Sequence, residues 1–119
     1  MRLIGMTLVS LLAVCAPVAA QSIGGTYRID GTNFDGSRYG GTARIVITSN
    51  TTCEISWDTG GGSTAEGICM RNGPAFTAAY VMGNAIGLVI YEILPDGTLD
   101  GLWTVAGQRG NGTEVLTPR

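Results

Sequence analysis

From residue 25 onward, apolar and polar side chains alternate in short runs that are separated by glycine-containing turns. The runs are rich in Ile, Val, Thr, Tyr and Trp, and turn signals recur about every 8–12 residues, as in an all-β sandwich or barrel. No apolar period of 3.6 residues is sustained, so the pattern does not favour a long amphipathic helix. The pattern predicts strands at about residues 25–33, 37–48, 52–58, 64–71, 74–82, 85–94, 98–106 and 113–117.

The glycine turns predict how neighbouring strands pair. The stretch Leu94–Thr98 reads LPDGT, which is typical of a type I turn followed by a left-handed glycine. This loop opposes Val89 to Trp103 in the hairpin that it closes. The stretch Asn33–Ser37 reads NFDGS and predicts a hairpin of the same kind.

Two dipeptides, Asn72-Gly73 and Gly83-Asn84, predict two-residue hairpin turns. The first would oppose Cys69 to Phe76. The loop at residues 49–51 needs an odd number of residues to keep the inner face continuous, and Asn50 is the residue we expect to take the left-handed conformation there.

Cys53 and Cys69 lie at equal distances on either side of Gly61. A hairpin centred on Gly61 opposes the two cysteines directly, which is the arrangement that a cross-strand disulfide requires. Redox-active pairs usually lie closer in sequence and have a depressed pKa. The spacing therefore predicts a structural disulfide, and closing a loop of this size contributes about 3 kcal/mol in the chain-entropy model.

The predicted registers share one phase over several consecutive strands and define a common inner face. The bulky side chains and cysteines on that face are Cys53, Trp57, Cys69, Phe76, Tyr80, Val89, Tyr91, Leu99 and Trp103. Eight sequential antiparallel strands can close the first on the last, so we predict an all-β fold, a small eight-stranded antiparallel up-and-down barrel (meander). Such a barrel is filled by side chains or holds one small ligand. Glycines and alanines facing the aromatic residues favour the filled core, and the phase of the last strand stays undecided.

Residues 1–20 have the features of a signal peptide, with Arg2 at the start, an apolar stretch and a small-residue cleavage signal. The apolar stretch is short for a membrane span. Cys15 offers a lipid-anchored alternative, which Val14 disfavours because such sites want a small residue before the cysteine. We expect an exported protein, periplasmic or secreted, with residues 21–119 as a single β-barrel domain.

The net charge and the absence of lysine and histidine argue against several classes of partner and of catalytic site. The chain has nine acidic residues, seven arginines, no lysine and no histidine, for a net charge of −2. This balance argues against nucleic acid or an anionic membrane as the partner. The missing histidine removes the usual general base and the commonest zinc ligand. We therefore expect a protein that is not an enzyme and that needs no metal or cofactor.

Two pairs of carboxylates are the candidate catalytic or cation-binding residues. Glu92 opposes Asp100 outside the barrel, and Glu54 lies diagonal to Glu66 on the outer face of the third and fourth strands. Paired carboxylates can share a proton, hold a cation or act as a glycosidase pair. No third ligand or substrate cleft is predicted beside either pair, so solvated carboxylates are the favoured interpretation.

The outer face of strands four to seven is apolar, although the same face of strands one to three is polar. We call this surface the outer apolar face. Its large members are Ile68, Met70, Val81, Ile86, Leu88, Ile90 and Leu102. A contiguous apolar surface on a small domain usually marks an interface. The first functional hypothesis is therefore a non-enzymatic interaction protein that forms a homo-oligomer or docks on another envelope or surface protein. The alternative for this surface is a sheet buried on both faces within a different fold.

A second functional hypothesis uses the inside of the barrel. The aromatic residues of the inner face would line an apolar pocket for a small molecule, and these residues are Tyr27, Trp57, Tyr80, Tyr91 and Trp103. A possible small apolar ligand is the partner that this hypothesis requires.

The chain also resembles a scattered set of small exported bacterial proteins of unknown function. The shared pattern falls on Gly25–Tyr27, Asp35–Gly40, Tyr91–Thr104 and Gly112–Pro118. More loosely, the sequence is similar to avidin and lipocalin barrels in its Gly-x-aromatic start and sequential hairpins, with Tyr27 where those families favour tryptophan. The resemblance implies a barrel fold and export, and it transfers no ligand or site residue.

Overall fold

The computed structural model describes residue 5 and residues 22–119. In this part of the chain, the alternating runs form eight antiparallel strands that close into a barrel. Each strand pairs with the next, and the last pairs back with the first, so the predicted up-and-down barrel is confirmed. The strands are β1 (Gly25–Thr32), β2 (Arg38–Ile47), β3 (Thr52–Asp58), β4 (Thr64–Asn72), β5 (Ala75–Met82), β6 (Ala85–Ile93), β7 (Leu99–Val105) and β8 (Gly112–Pro118).

The predicted signal peptide and Cys15 lie outside the described residues, apart from Gly5. Within the part of the chain that the structure describes, no helix has the length and apolar character needed to cross a membrane.

Most of the predicted registers are confirmed. Val89 faces Trp103 across β6 and β7, and Cys53 faces Cys69 across β3 and β4. The turn between β4 and β5 differs from the prediction, because Asn72 pairs with Ala75 and leaves Gly73-Pro74 as the two turn residues. A turn centred on Asn72-Gly73 would need a positive φ at Asn72, whereas Gly73 has φ 60° and every described non-glycine residue has a negative φ.

The corrected turn moves the pairing by two residues, so Cys69 faces Ala78 and Phe76 faces Arg71. A shift of two residues keeps every side chain on its predicted face, because the side-chain period of a strand is two. Phe76 is therefore buried, as predicted, although its partner is different.

The loop between β2 and β3 also differs from the prediction, since Asn50 does not adopt a left-handed conformation. The loop is closed by hydrogen bonds instead. The Thr48 amide donates to the Thr52 carbonyl at 3.0 Å, and the Ser49 hydroxyl accepts from the amides of Thr51 and Thr52 at 3.2 and 3.0 Å. A side-chain acceptor thus replaces the left-handed backbone conformation that the spacing predicted.

The two ends of the barrel are different. At the closed end lie residues 22–24 and the loops β2–β3, β4–β5 and β6–β7, and Ile23 is buried there with its carbonyl accepting a hydrogen bond from the Tyr27 hydroxyl at 2.6 Å. The interior toward this end is packed with large side chains. The largest that are fully buried are Tyr91, Phe76, Ile29, Leu99 and Leu116. The loops β1–β2, β3–β4, β5–β6 and β7–β8 surround the opposite end, which we call the open end.

Candidate functional site

The interior near the open end is a cavity of about 330 Å³. Its aromatic walls, which we call the wall aromatics, are Tyr39, Trp57, Tyr80 and Trp103. The lining also contains the apolar side chain of Val89 and the carboxyl group of Glu114. The expectation of a filled core therefore holds toward the closed end and is wrong at the open end.

The cavity exists because wall aromatics lie over glycines of the adjacent strand. Tyr80 pairs with Gly87 across β5 and β6, and a Cβ on that glycine would lie 2.1 Å from Cζ of Tyr80. Tyr39 pairs with Gly31 in the same way, and the corresponding distance is 2.2 Å. Each ring occupies the space that a neighbouring side chain would take, so it covers the wall and leaves the centre of the barrel open. The predicted pairing of large with small residues is present, but it produces a lining and not a plug.

Trp103 also lies over a glycine of the adjacent strand, and its indole is fixed by contacts with residues outside the cavity lining. Its indole lies where a Cβ on Gly112 would be, 2.2 Å from Cε2. Its Nε1 donates to the Thr113 carbonyl at 3.2 Å, and the ring of Phe34 stacks on it with centroids 4.9 Å apart. Phe34 is carried by the β1–β2 loop, where the Ser37 amide and hydroxyl both donate to the Asp35 carboxylate. The wall at Trp103 is therefore positioned by a hydrogen-bonded turn at the mouth.

Glu114 is the buried charged residue of the described chain, with a relative exposure of 5%. Its Oε1 accepts a hydrogen bond from the Tyr39 hydroxyl at 2.9 Å. Its Oε2 accepts from Nε1 of Trp57 at 3.0 Å and from the Tyr91 hydroxyl. Three neutral donors from β2, β3 and β6 thus converge on one carboxyl group of β8.

Burial raises the pKa of the Glu114 carboxyl above its ordinary 4.5, and the donated hydrogen bonds from Tyr91, Tyr39 and Trp57 oppose that rise. Burial, with the Glu114 charge as the second cause, raises the pKa of both Tyr39 and Tyr91 well above the usual value of 10. The same two causes raise the pKa of Tyr80 to about 12. The three hydroxyls therefore stay protonated near neutral pH and remain donors.

Sequence reasoning missed Glu114 because the phase of the last strand was undecided. Two signals fix that phase. Leu116 is fully buried and stands two residues after Glu114, and Gly112 stands two residues before it, opposite Trp103. The large-against-small pairing seen elsewhere would have placed Gly112, and with it Glu114, on the inner face.

The residues predicted to bind a ligand separate into three groups. Trp57, Tyr80 and Trp103 line the cavity together. Tyr91 lies beneath it, stacked on Phe76, and reaches the site through its hydroxyl. Tyr27 is buried toward the closed end, where its hydroxyl is used by Ile23, so the structure does not place it in the pocket wall.

The predicted disulfide joins Cys53 to Cys69, with a Cα–Cα distance of 4.9 Å. Both cysteines are buried within the hydrophobic core. They lie toward the closed end, away from the cavity lining. This position fits the predicted structural role.

The outer apolar face is exposed as predicted, and its seven large side chains have relative exposures of 51–70%. The cross-strand pairs Val81–Ile86 and Ile90–Leu102 make its members direct neighbours. Thr77 lies between Met70 and Ile90 and extends this row across β4 to β7.

Both carboxylate pairs lie outside the barrel. Glu92 faces Asp100 directly, as predicted, and Glu54 and Glu66 line a shallow outer groove that also contains Arg44. In residues 22–119 and Gly5, no group of three or more cysteines and carboxylates is placed to hold a metal ion.

Solved structures with similar folds include designed barrels. A redesigned β-barrel matches with a TM-score of 0.70 and 17% identity over 82% of this chain and 91% of that chain. A de novo designed fluorescence-activating β-barrel matches with a TM-score of 0.68 and 18% identity over 85% and 97% of the two chains. The protein EF1p2_mFAP2b, solved bound to DFHBI, matches with a TM-score of 0.64 and 14% identity over 82% and 94%. No protein-family model and no curated protein matches the sequence. At these identities the likeness shows a shared barrel fold, and the resemblance to exported bacterial proteins stays a prediction.

Proposed function

We propose that this protein is a small-molecule-binding barrel whose ligand enters at the open end and rests between the wall aromatics and Glu114. The observation that carries the proposal is the cavity itself, which combines aromatic walls with a convergent polar group at one end of a closed barrel. Binding sites of small molecules are typically concave, mostly apolar and equipped with a few placed polar groups. A barrel of eight strands is wide enough for one such ligand.

The similar designed barrels support the same proposal. One of them is described as fluorescence-activating and another was solved bound to the small molecule DFHBI. The ligand-binding hypothesis from the sequence, which ranked second there, is therefore the one that the fold and the cavity favour.

The proposal is tested with N-phenyl-1-naphthylamine, a neutral apolar dye that fluoresces when it leaves water. We expect saturable binding to residues 21–119, and we expect Gly87→Ala to weaken it by about tenfold, since the new methyl group pushes the Tyr80 ring into the cavity. Fluorescence titration gives the dissociation constants.

Gly40→Ala is the matched control for this titration. Gly40 is exposed on β2, and the nearest atom to an added Cβ is the Ile29 carbonyl oxygen at 3.3 Å, so the dye should bind this variant as it binds the parent protein. The proposal is wrong if the parent protein does not take up the dye or if both glycine variants, folded by circular dichroism, bind it equally well.

The proposal includes export, with residues 1–20 as the signal peptide. The Cys53–Cys69 disulfide supports this part, because disulfides persist mainly in oxidising compartments. The site of action would then be the periplasm or the medium, and the ligand would be met outside the cytoplasm.

A second candidate function is self-association of two copies through the outer apolar face. Seven large side chains there are more than half exposed and lie next to one another. Removal of such a surface from water contributes about 25 cal/mol per Å² of apolar area, and identical surfaces meet most simply about a two-fold axis.

The double substitution Leu88→Arg with Ile90→Arg tests the second candidate. Both side chains point away from the barrel, so we expect a folded, more soluble monomer where the parent chain forms a dimer, as measured by sedimentation velocity. Thr26→Arg with Ser56→Arg, which adds the same two positive charges at exposed positions on the polar side of the barrel, is the control for the altered net charge. A parent protein that is monomeric at every concentration would exclude self-association and leave only a different partner for this surface.

A further inference from the structure

Among residues 22–119, the carboxyl group of Glu114 has hydrogen-bond partners but no positively charged side chain bonded to it. Its three donors are two phenols and an indole. The ion pair Arg28–Asp30 is exposed on the outside of β1, and among residues 22–119 no arginine is one of the groups that shift the pKa of Glu114. Burial of an ionised carboxyl group without a countercharge is costly. The cavity is therefore a place where a cation would be favoured.

The carboxylate also keeps one acceptor position for a ligand. An ionised carboxyl group offers about four acceptor positions. Oε2 accepts from Trp57 and Tyr91, whereas Oε1 accepts from Tyr39 alone. Glu114 is part of the cavity lining, so a ligand in the cavity lies beside this carboxyl group.

The wall aromatics supply the second element of cation recognition. The negative faces of tryptophan and tyrosine rings attract ammonium groups, and cages of such rings bind quaternary ammonium ligands. The ring centroids of Trp57 and Tyr80 lie 5.3 Å apart, and their ring planes make an angle of 59°. The ring centroids of Tyr39 and Trp103 lie 6.1 Å apart, with an angle of 76° between the planes. The four rings therefore present walls at several angles to one cavity with a carboxylate in its lining.

We propose that the ligand of this cavity is a small organic cation, with its charge against Glu114 and its apolar body against the wall aromatics. The inference rests on the proposed function, because it names the chemical class of the molecule that occupies the same cavity. An anionic ligand would meet the carboxylate without a compensating group. A neutral apolar ligand would leave the carboxylate charge unused.

The test compares molecules of matched shape as competitors of N-phenyl-1-naphthylamine at pH 8. Trimethylanilinium and tert-butylbenzene have the same outline and differ in charge, and benzenesulfonate supplies the anion. We expect the cation to displace the dye at about tenfold lower concentration than its neutral counterpart, with the sulfonate weakest. Glu114→Gln should remove the advantage of the cation, whereas Glu92→Gln, which removes the same charge from the outer face, should keep it.

A pH series on the unmodified protein gives a second readout if Glu114→Gln does not fold. Trimethylanilinium keeps its charge at every pH, so a change in its advantage reports the protein. The titratable groups around Glu114 are Tyr39, Tyr80 and Tyr91, which stay neutral below pH 8 because their pKa values are raised. The advantage of the cation should therefore shrink as the pH falls and Glu114 takes up a proton.

The outcomes separate the two proposals. If the dye binds but the cation and its neutral counterpart compete equally, if the sulfonate competes best, or if the advantage of the cation does not change with pH, the cavity binds small molecules and the cation inference is wrong. If the dye does not bind at all, the proposed function itself is wrong.

Discussion

At the scale of single residues, the site depends on Glu114 and on the aromatic side chains that donate to it or cover the wall beside it. The carboxyl group is held by side chains from three strands, so its position is fixed by the closure of the barrel and not by local sequence. A buried group of this kind has different proton affinities in the folded and unfolded chains, which links its ionisation to stability.

The stability of the barrel should rise on mild acidification because of Glu114. Its folded pKa lies above the unfolded value of about 4.5, so between these values the folded chain holds a proton that the unfolded chain has lost. The free energy of unfolding therefore increases as the pH falls from neutral through this range. We expect the midpoint of urea unfolding, followed by tryptophan fluorescence, to increase as the pH falls from neutral toward 4.5.

At lower pH the sign reverses. Hydrogen bonds from Ser37 lower the pKa of Asp35, and hydrogen bonds from Thr98 lower that of Asp96, both below 3.8, so their contribution is lost as the pH falls through their folded pKa values. The variant Glu114→Gln should lose the rise above pH 4.5 and keep the fall at acid pH. A midpoint that is flat in the upper range, or a rise that survives in this variant, would contradict the assignment to Glu114.

At the scale of strands and hairpins, the turn residues carried most of the information. Leu94–Thr98 and Asn33–Ser37 predicted their registers because a glycine at a defined place in the loop admits few hairpin geometries. The observed turn at Gly73-Pro74 lies one residue after the predicted turn at Asn72-Gly73. In the observed turn only Gly73 has a positive φ, and Asn72 keeps a negative φ. The face of each strand was still correct, since period-two alternation does not depend on the turn.

The candidate site was less predictable, and the reason lies in the last hairpin. The β7–β8 loop, residues 106–111, contains two glycines of positive φ, at Gly107 and Gly110, and is longer than a two-residue hairpin turn, so its turn residues do not select one register. The loop therefore did not predict which residues of β8 face the barrel interior, and Glu114 was not recognised as an inward residue. The cavity was the second hypothesis for the barrel interior and not the favoured one, because it depends on the direction in which the rings of Tyr39 and Tyr80 lie, which alternation along a strand does not specify.

The β3–β4 hairpin carries its own covalent constraint and should be separable from the site. The double variant Cys53→Ala with Cys69→Ala should lower the free energy of unfolding by about 3 kcal/mol, which lowers the melting temperature by roughly 10–25 °C. Dye binding at 20–25 °C should be unchanged, because the disulfide is not part of the cavity lining.

Thermal unfolding with and without dithiothreitol checks the disulfide prediction. The reductant should destabilise the parent protein and leave the double variant unaffected. A double variant that melts at the temperature of the oxidised parent would show that the hairpin is held by its packing alone, and a folded variant that no longer binds the dye would show that the two ends of the barrel are coupled.

At the scale of the whole molecule, the barrel presents two distinct surfaces, a lined cavity at the open end and the outer apolar face on one side. The cavity is built from inward side chains and the outer face from the alternate outward ones, so substitutions such as Leu88→Arg and Gly87→Ala act on different surfaces of the same strand, β6. The proposed ligand binding and the proposed self-association can therefore be tested independently of one another.

The up-and-down order of the strands has a consequence for how this chain can diversify. Every second connection, namely β1–β2, β3–β4, β5–β6 and β7–β8, borders the mouth, and the remaining connections lie at the end that holds the disulfide. Under the proposed function, the segments that border the binding cavity thus alternate along the gene with segments at the closed end. Replacement of one of these four loops at a time is then the route by which ligand specificity would change with the least effect on the packed end of the barrel.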